Sequence, residues 1–196
     1  MLKRSFDIIS SFIGLLVLLP FFLIISILII LDSRGGIFYR QVRVGKNNID
    51  FKLFKFRTMA SGSDKKGLLT VGGRDSRITK IGYYLRKYKL DELPQLLNVF
   101  FGDMSLVGPR PEVRKYVDMY NTEQKKVLNV KPGITDYASI EYSNENELLA
   151  TSSDPEKTYI EEVMPAKLWL NQKYISEQGL LTDIRIIFRT IAKIVS

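Results

Sequence analysis

The run IISSFIGLLVLLPFFLIISILIIL, residues 8–31, decides the architecture: it carries no charge, and its one proline is Pro20. A straight helix of that length would reach roughly 36 Å, against a bilayer hydrocarbon core of about 30 Å. A signal peptide fits poorly. The apolar run is too long, and Asp32-Ser33-Arg34 follows it where a small-residue cleavage site would be needed. Two features work against a straight span. Pro20 lacks an N–H and its ring clashes with the Leu16 carbonyl, so a kink is expected there. Lys3 and Arg4 precede the run, and Arg34, Arg40, Arg43 and Lys46 follow it. The positive-inside preference therefore asks for both flanks on the cytosolic side. A bend at Pro20 would give two arms of about 12 residues, each roughly 18 Å and about one leaflet deep. Ser10, Ser11 and Ser26 could serve the freed backbone groups. On these features alone a straight single-pass anchor is the simpler reading, and the re-entrant hairpin is its alternative.

Working outward, the 196-residue chain divides into a membrane segment, residues 1–33, and a domain, residues 34–196, large enough for a core of its own. The net charge is +8, unevenly spread. Residues 34–58 hold seven Lys/Arg against Asp50 alone, and residues 77–89 hold five with no acid. Residues 141–162 run the other way, with seven acids against Lys157. A basic surface beside an apolar segment points to anionic headgroups or phosphorylated substrates. The chain has no His and no Cys, which excludes imidazole bases, thiolate nucleophiles and the usual zinc sites.

The domain reads as mixed α/β, mostly helical with a small sheet. Ile37–Arg43 and Ile49–Thr58 read as strands around Gly45-Lys46-Asn47-Asn48. Ser61–Gly73 reads as a loop, with Gly72-Gly73 too weak for a phosphate loop. Asp75 or Ser76 is expected to cap a helix ending near Lys87, with Ile78, Ile81, Leu85 and Tyr84 inward. Asp91 is expected to cap the next, with Leu93, Leu96, Leu97 and Phe100 inward and Gly102 ending it. Tyr159–Ile175 is expected as a helix broken at Pro165. Leu180–Val195 reads as an amphipathic helix, with Leu181, Ile184, Ile187, Phe188, Ile191 and Ile194 on one side and Arg185, Arg189 and Lys193 on another. It could lie on a membrane or close the core.

With imidazole and thiol excluded, acid–base or covalent chemistry falls to Asp, Glu, Lys, Tyr, Ser or Thr. The adjacent pair Asp91-Glu92 is the best placed. A carboxylate at a helix N-terminus is kept ionised by the macrodipole and can attack phosphorus to give an acyl phosphate. Two neighbouring carboxylates repel unless a cation sits between them, and Mg²⁺ suits phosphate-bearing substrates. Arg110, held between Pro109 and Pro111, has little backbone freedom to lose on binding phosphate oxygens. Taken singly, these residues are also compatible with a helix cap and a structural ion pair.

Five ordered segments go further: Phe54–Met59, Asp75–Gly82, Lys89–Gln95, Gly102–Pro111 and Pro132-Gly133-Ile134-Thr135. Together they resemble the bacterial sugar transferases, the monotopic polyprenyl-phosphate phosphoglycosyl transferases, along nearly the whole chain, in a minimal form. The resemblance implies transfer of a sugar-1-phosphate from a nucleoside diphosphate sugar, usually a UDP-sugar, to undecaprenyl phosphate, with UMP released through a covalent enzyme intermediate and Mg²⁺, or Mn²⁺ in its place. Asp91 matches the family's nucleophile and Glu92 the adjacent acid that binds the metal. Lys55, Arg86 and Arg110 match basic positions that would neutralise phosphate. Pro20 matches the proline that breaks a re-entrant helix. The implied location is the cytosolic face of the bacterial inner membrane, embedded monotopically among its lipids, with a homo-oligomer left open and no nucleic acid expected. Two departures stand out. Leu19 precedes Pro20 where the family often has Ser, and Asp136–Ser143 replaces a Gly, Gln and Asn-containing run. A non-catalytic, membrane-tethered basic binder or scaffold is the alternative. In it Phe51, Phe54 and Phe56 would stack bases, but it leaves the carboxylate pair unexplained.

Overall fold

The computed structural model describes residues 2–63 and 75–195. Most of the expected Ser61–Gly73 loop, Gly72-Gly73 included, lies outside them. The apolar run forms α1, Leu2–Asp32, a helix long and apolar enough to cross a membrane. It continues through Pro20 without interruption, so the expected break is not a gap in the helix. The serines do not serve the Leu16 carbonyl. Ser11 Oγ donates to Ile8 O at 3.1 Å and Ser26 Oγ to Phe22 O at 2.6 Å.

Both halves of α1 dock on the domain, while Leu16, Val17, Leu19 and Phe21 between them are exposed. In the first half, Lys3 Nζ donates to Val107 O at 3.0 Å and pairs with the buried Asp183. Arg4 donates to Val99 O at 2.6 Å and Phe100 O at 2.9 Å. Buried Asp7 accepts from Ser105 Oγ at 2.8 Å and Leu106 N at 3.0 Å. In the second half, Ile25 and Ile29 pack with Phe56 and Leu85. Arg57 donates to Ile29 O at 3.3 Å and Ser33 O at 2.6 Å, a cation at the negative end of the helix.

Strands β1, Phe38–Val44, and β2, Asp50–Phe56, pair antiparallel from Phe38↔Phe56 to Val44↔Asp50. Their turn places Asn47 and Asn48 at positive φ, which asparagine tolerates. The phenylalanines are committed to packing. Phe56 is buried, and Phe54 stands edge-on to Phe38 at 6.3 Å with Arg40 over its ring at 5.0 Å. That removes the base-stacking platform of the binder reading.

Helix α2 is Lys80–Lys87, capped by Thr79 rather than Asp75 or Ser76. Asp75 is occupied by Arg77, whose hydrogen bonds hold its carboxyl down at about 2. A second cap comes from α1, where the Asp32 carboxylate accepts from Ile81 N at 2.9 Å. Tyr84, expected inward, is exposed. Asp91 is not an N-cap. It lies inside a 3₁₀ turn, Leu90–Glu92, entered through Lys89 at φ 56°, and α3, Gln95–Phe101, begins only after Pro94. The buried side chains of α3 are Gln95, Asn98 and Val99, not the four expected. Instead Leu96 packs over Gly14 and Phe100 stacks on Phe12, both on α1. Helix α1 takes the face that sequence pattern would give to the core. Gly102 ends α3 at φ 100°, as expected.

Strand β3, Ser105–Val107, runs parallel to β4, Gly133–Thr135. Between them lie α4, Arg114–Val117, and a 3₁₀ turn, Gln124–Asn129. Then follow α5 (Tyr137–Glu141), α6 (Glu145–Ala150) and α7 (Pro155–Thr158). A π turn, Tyr159–Val163, leads from α7 into α8, Met164–Glu177. The break expected at Pro165 is this wide turn just ahead of it, where Met164 N donates to Tyr159 O. Spacing the bonds by five residues accommodates a proline that cannot donate. Helix α9, Leu180–Val195, has the expected bounds and closes the core with Asp183 and Ile186. Leu181, Phe188, Ile191 and Ile194 stay exposed on its other side.

Candidate active site

Three elements converge on the carboxylate pair: β2 brings Lys55, the 3₁₀ turn brings Asp91 and Glu92, and the loop after β3 brings Arg110. Lys55 Nζ donates to Glu92 Oε1 at 2.9 Å. Arg110 forks onto the same carboxylate, Nη1 to Oε2 at 3.1 Å and Nη2 to Oε1. The side chains are 17% exposed for Lys55, 15% for Glu92 and 36% for Arg110, so the cluster opens to solvent on the Arg110 side. Asp91 is buried beside it, in the field of Lys55 and Glu92. Arg86, on the last turn of α2, bears on Asp91 through its charge without touching it. The structure thus joins Lys55, Glu92 and Arg110 directly, sets Asp91 next to them, and leaves Arg86 at the margin. Pro20 is not part of the site.

The two acids differ sharply. Burial pushes the Asp91 carboxyl up; Lys55 opposes this, and the Glu92 charge adds to it. Burial also works against ionised Glu92, but Arg110 and Lys55 outweigh it and hold that carboxyl well below the usual range. Lys55 is lowered because burial exceeds the pull of Glu92. The helix end expected to favour the Asp91 carboxylate is absent, because one 3₁₀ turn has no macrodipole to speak of.

Sequence reading missed the residues that hold these groups in place. Asn98, fully buried, accepts from Phe54 N at 2.9 Å and donates to Lys52 O at 2.8 Å. One amide thereby stands in for a neighbouring strand and fixes β2 immediately ahead of Lys55. The Arg110 loop is pinned residue by residue. Gly133 N donates to Pro109 O at 3.0 Å, Arg110 N to Asp136 Oδ2 at 3.2 Å, and Val44 N to Glu112 O at 2.9 Å. Gly108 and Gly133 press backbone against backbone; a methyl on Gly133 would sit 2.1 Å from Gly108 N. Asp136, in the segment that departs from the family pattern, is fully buried and also caps α5 through Ser139 N at 2.6 Å. Buried Asn98 and Gln95, three apart on one helical face, were the signal available in the sequence: polar residues where a core stripe belonged.

Among the described residues no group of three or more His, Cys, Asp or Glu forms a ready-made metal cage. Two adjacent carboxylates remain, a hard-oxygen pair of the kind that holds Mg²⁺ when substrate phosphates supply further ligands.

The sequence profile described as bacterial sugar transferase matches residues 1–196. A UDP-N-acetylgalactosamine-undecaprenyl-phosphate N-acetylgalactosaminephosphotransferase of Aeromonas hydrophila is 36% identical over 100% of this chain and 44% of its own length. The exopolysaccharide production protein PSS of Rhizobium leguminosarum bv. phaseoli is 38% identical over 97% of this chain and 93% of its own. The UDP-glucose:undecaprenyl-phosphate glucose-1-phosphate transferase of Escherichia coli K12 is 34% identical over 98% of this chain, which spans 40% of that protein.

Proposed function

Because the chain belongs to the bacterial sugar transferase family, we propose that it moves a sugar-1-phosphate from a UDP-sugar to undecaprenyl phosphate. The observation that carries this reading is the Glu92 carboxylate gripped by Lys55 and Arg110 immediately beside the buried carboxylate of Asp91. That is a nucleophile next to a phosphate-shaped cradle. In the first half-reaction an Asp91 oxygen attacks the phosphorus bearing the sugar. The P–O bond to the nucleotide's α-phosphate breaks, its electron pair leaves with UMP, and an aspartyl phosphosugar remains. In the second, a phosphate oxygen of undecaprenyl phosphate attacks the same phosphorus and expels the Asp91 carboxylate. Lys55 and Arg110 offset the negative charge of both transition states, and Arg86 adds a third cation nearby. Asp91 and Glu92 would hold Mg²⁺ or Mn²⁺, which would draw charge off the diphosphate oxygens. The product would open glycoconjugate synthesis at the membrane.

The placement of α1 supports a monotopic arrangement on the cytosolic face. Lys3, Arg4 and Asp7 at one end and Asp32 at the other are bonded to the same domain. A helix tethered to one body at both ends enters and leaves a membrane on one side, with the exposed Leu16–Phe21 region deepest. The exposed stripe of α9 begins beside the Lys3–Asp183 pair, at the level where α1 leaves the domain, and suits the headgroup layer. Cys introduced near residue 3 and near residue 34 of this Cys-free chain should both resist an impermeant reagent in intact cells. Labelling of one end alone would remove the hairpin.

The decisive experiment incubates protein with UDP-sugars and no lipid. About one UMP per active site should appear, with one sugar phosphate added to the protein mass, and undecaprenyl phosphate should discharge it. An adduct on any residue but Asp91 overturns the assignment. UMP release that needs both substrates at once, with no adduct, points to direct transfer.

A further inference from the structure

The cations that would take the donor's phosphates are both in use. Lys55 and Arg110 engage the two oxygens of the Glu92 carboxylate, with Arg110 approaching fork to fork. That geometry is the one a guanidinium uses on a phosphate. We propose that Glu92 fills the anion subsite of this centre, so a nucleoside diphosphate binds only as the Glu92 carboxylate turns away, and a divalent cation and the diphosphate bind as a cooperative pair. This rests on the transferase reading above and adds an internal competitor to it.

Three observations carry the argument. First, no second acid shares the grip: among the described residues, Lys55 and Arg110 make their salt bridges to Glu92 alone. Second, the cradle itself is fixed while its occupant is not. Asn98 clamps β2 just ahead of Lys55, at Lys52 and Phe54, and Gly133, Asp136 and Val44 pin the loop around Arg110. The Glu92 carboxylate, by contrast, is held only by the tips of two long side chains. Third, a displaced Glu92 stays next to its chain neighbour Asp91, a second and buried carboxylate. Two free carboxylates side by side repel, and a hard divalent cation relieves that repulsion. Each ligand therefore removes a cost the other would meet. By linkage the coupling must be reciprocal, and couplings of this kind commonly reach about 5- to 150-fold in affinity.

The test measures UDP binding to the detergent-purified full chain by calorimetry, first in chelator and then with Mg²⁺. In chelator, Glu92→Gln should bind UDP about tenfold more tightly than wild type, because a neutral amide competes poorly for the two cations. Glu92→Asp keeps the charge but is one methylene shorter, too short to reach both cations together, and should fall between them. It also covers the case in which the glutamine variant does not fold. In wild type, Mg²⁺ should tighten UDP binding more than it does in Glu92→Gln. Variants that bind UDP in chelator no more tightly than wild type overturn the inference and leave the transferase reading standing. Failure of every form to bind UDP, with or without Mg²⁺, overturns both.

Discussion

Two glutamates on either side of α3 and β3 in the chain, Glu92 and Glu112, both have their carboxyls lowered by nearby cations, yet they are held in opposite ways. Glu92 is held by Lys55 and Arg110, long cations whose charge a phosphate would claim. Glu112 is held by Arg43 at 2.8 Å, by Val113 N at 2.8 Å and by the Tyr159 hydroxyl. Burial works against ionised Glu112 too, and Arg43 and Lys167 overcome it with help from those hydrogen bonds. The donors on Glu112 come from β1, from its own loop and from the π turn. The difference separates a structural carboxylate from a replaceable one. A charge satisfied by fixed, partly neutral donors stabilises the fold, and a charge satisfied by substrate-seeking cations waits for a substrate.

The sharpest test compares these centres with the acid next to Glu92. Asp91→Asn should lower transfer by on the order of 10⁴ or more, as loss of a nucleophile does. Its unfolding midpoint should rise. The Asp91 carboxyl is raised in the folded state by burial, so its ionised form costs stability at neutral pH, and a neutral amide removes that cost. A midpoint that falls with activity would make Asp91 structural. Lys55→Met should also suppress transfer strongly, but with the Glu92 charge left partly unpaired it should lower the midpoint.

The opposite pattern is expected at the second glutamate. Glu112→Gln should cost about 3 kcal/mol of stability, because it leaves the Arg43 charge without its partner beneath the Arg110 loop. Residual activity per folded molecule should stay within about tenfold of wild type. Denaturant unfolding and active-site titration on the same sample separate the two effects. A loss confined to activity would put Glu112 in the chemistry and erase the contrast.

How much of this was legible beforehand follows from the kind of pattern each residue makes. The apolar run, the β-hairpin, the terminal helix and the nearness of Lys55 and Arg110 to the carboxylate pair were all readable, since they rest on composition, turn residues and an ordered set of motifs; that the two cations grip Glu92 itself was not. What was misread turned on tertiary partners. The Leu96 and Phe100 face of α3 looked like core and belongs to the membrane helix. Asp91 looked like a helix cap because an acid before a proline and an apolar run usually is one, and the Lys89 residue at positive φ gave no sign in the sequence. Asn98 and Asp136 act on backbone groups far along the chain and Glu112 on a distant side chain, and no local spacing marks such a bond. The sequence departure at Asp136 was visible; its role as the anchor of the Arg110 backbone was not.

The finest test of the contrast is at Tyr159. Its hydroxyl donates to Glu112 from the first residue of the π turn, and burial together with the Glu112 charge pushes its own ionisation far up. The wide turn ahead of Pro165 aims this side chain at the loop. Tyr159→Phe keeps the ring against Tyr116 at 4.9 Å and removes only the donor. A hydrogen bond to a charged group contributes about 1.5–3 kcal/mol, and the low end is expected because Arg43 and Val113 N remain. The sign with pH follows from the lowered Glu112 carboxyl. Its contribution is present above the ordinary glutamate range and is lost as pH falls through the lower folded value. Wild type and Tyr159→Phe should therefore differ most at neutral pH and converge in acid, where Glu112 is protonated in both. Unfolding free energies measured from neutral to acid pH check this. A gap that stays constant into acid would assign the loss to packing of the ring and take Tyr159 out of the carboxylate's support.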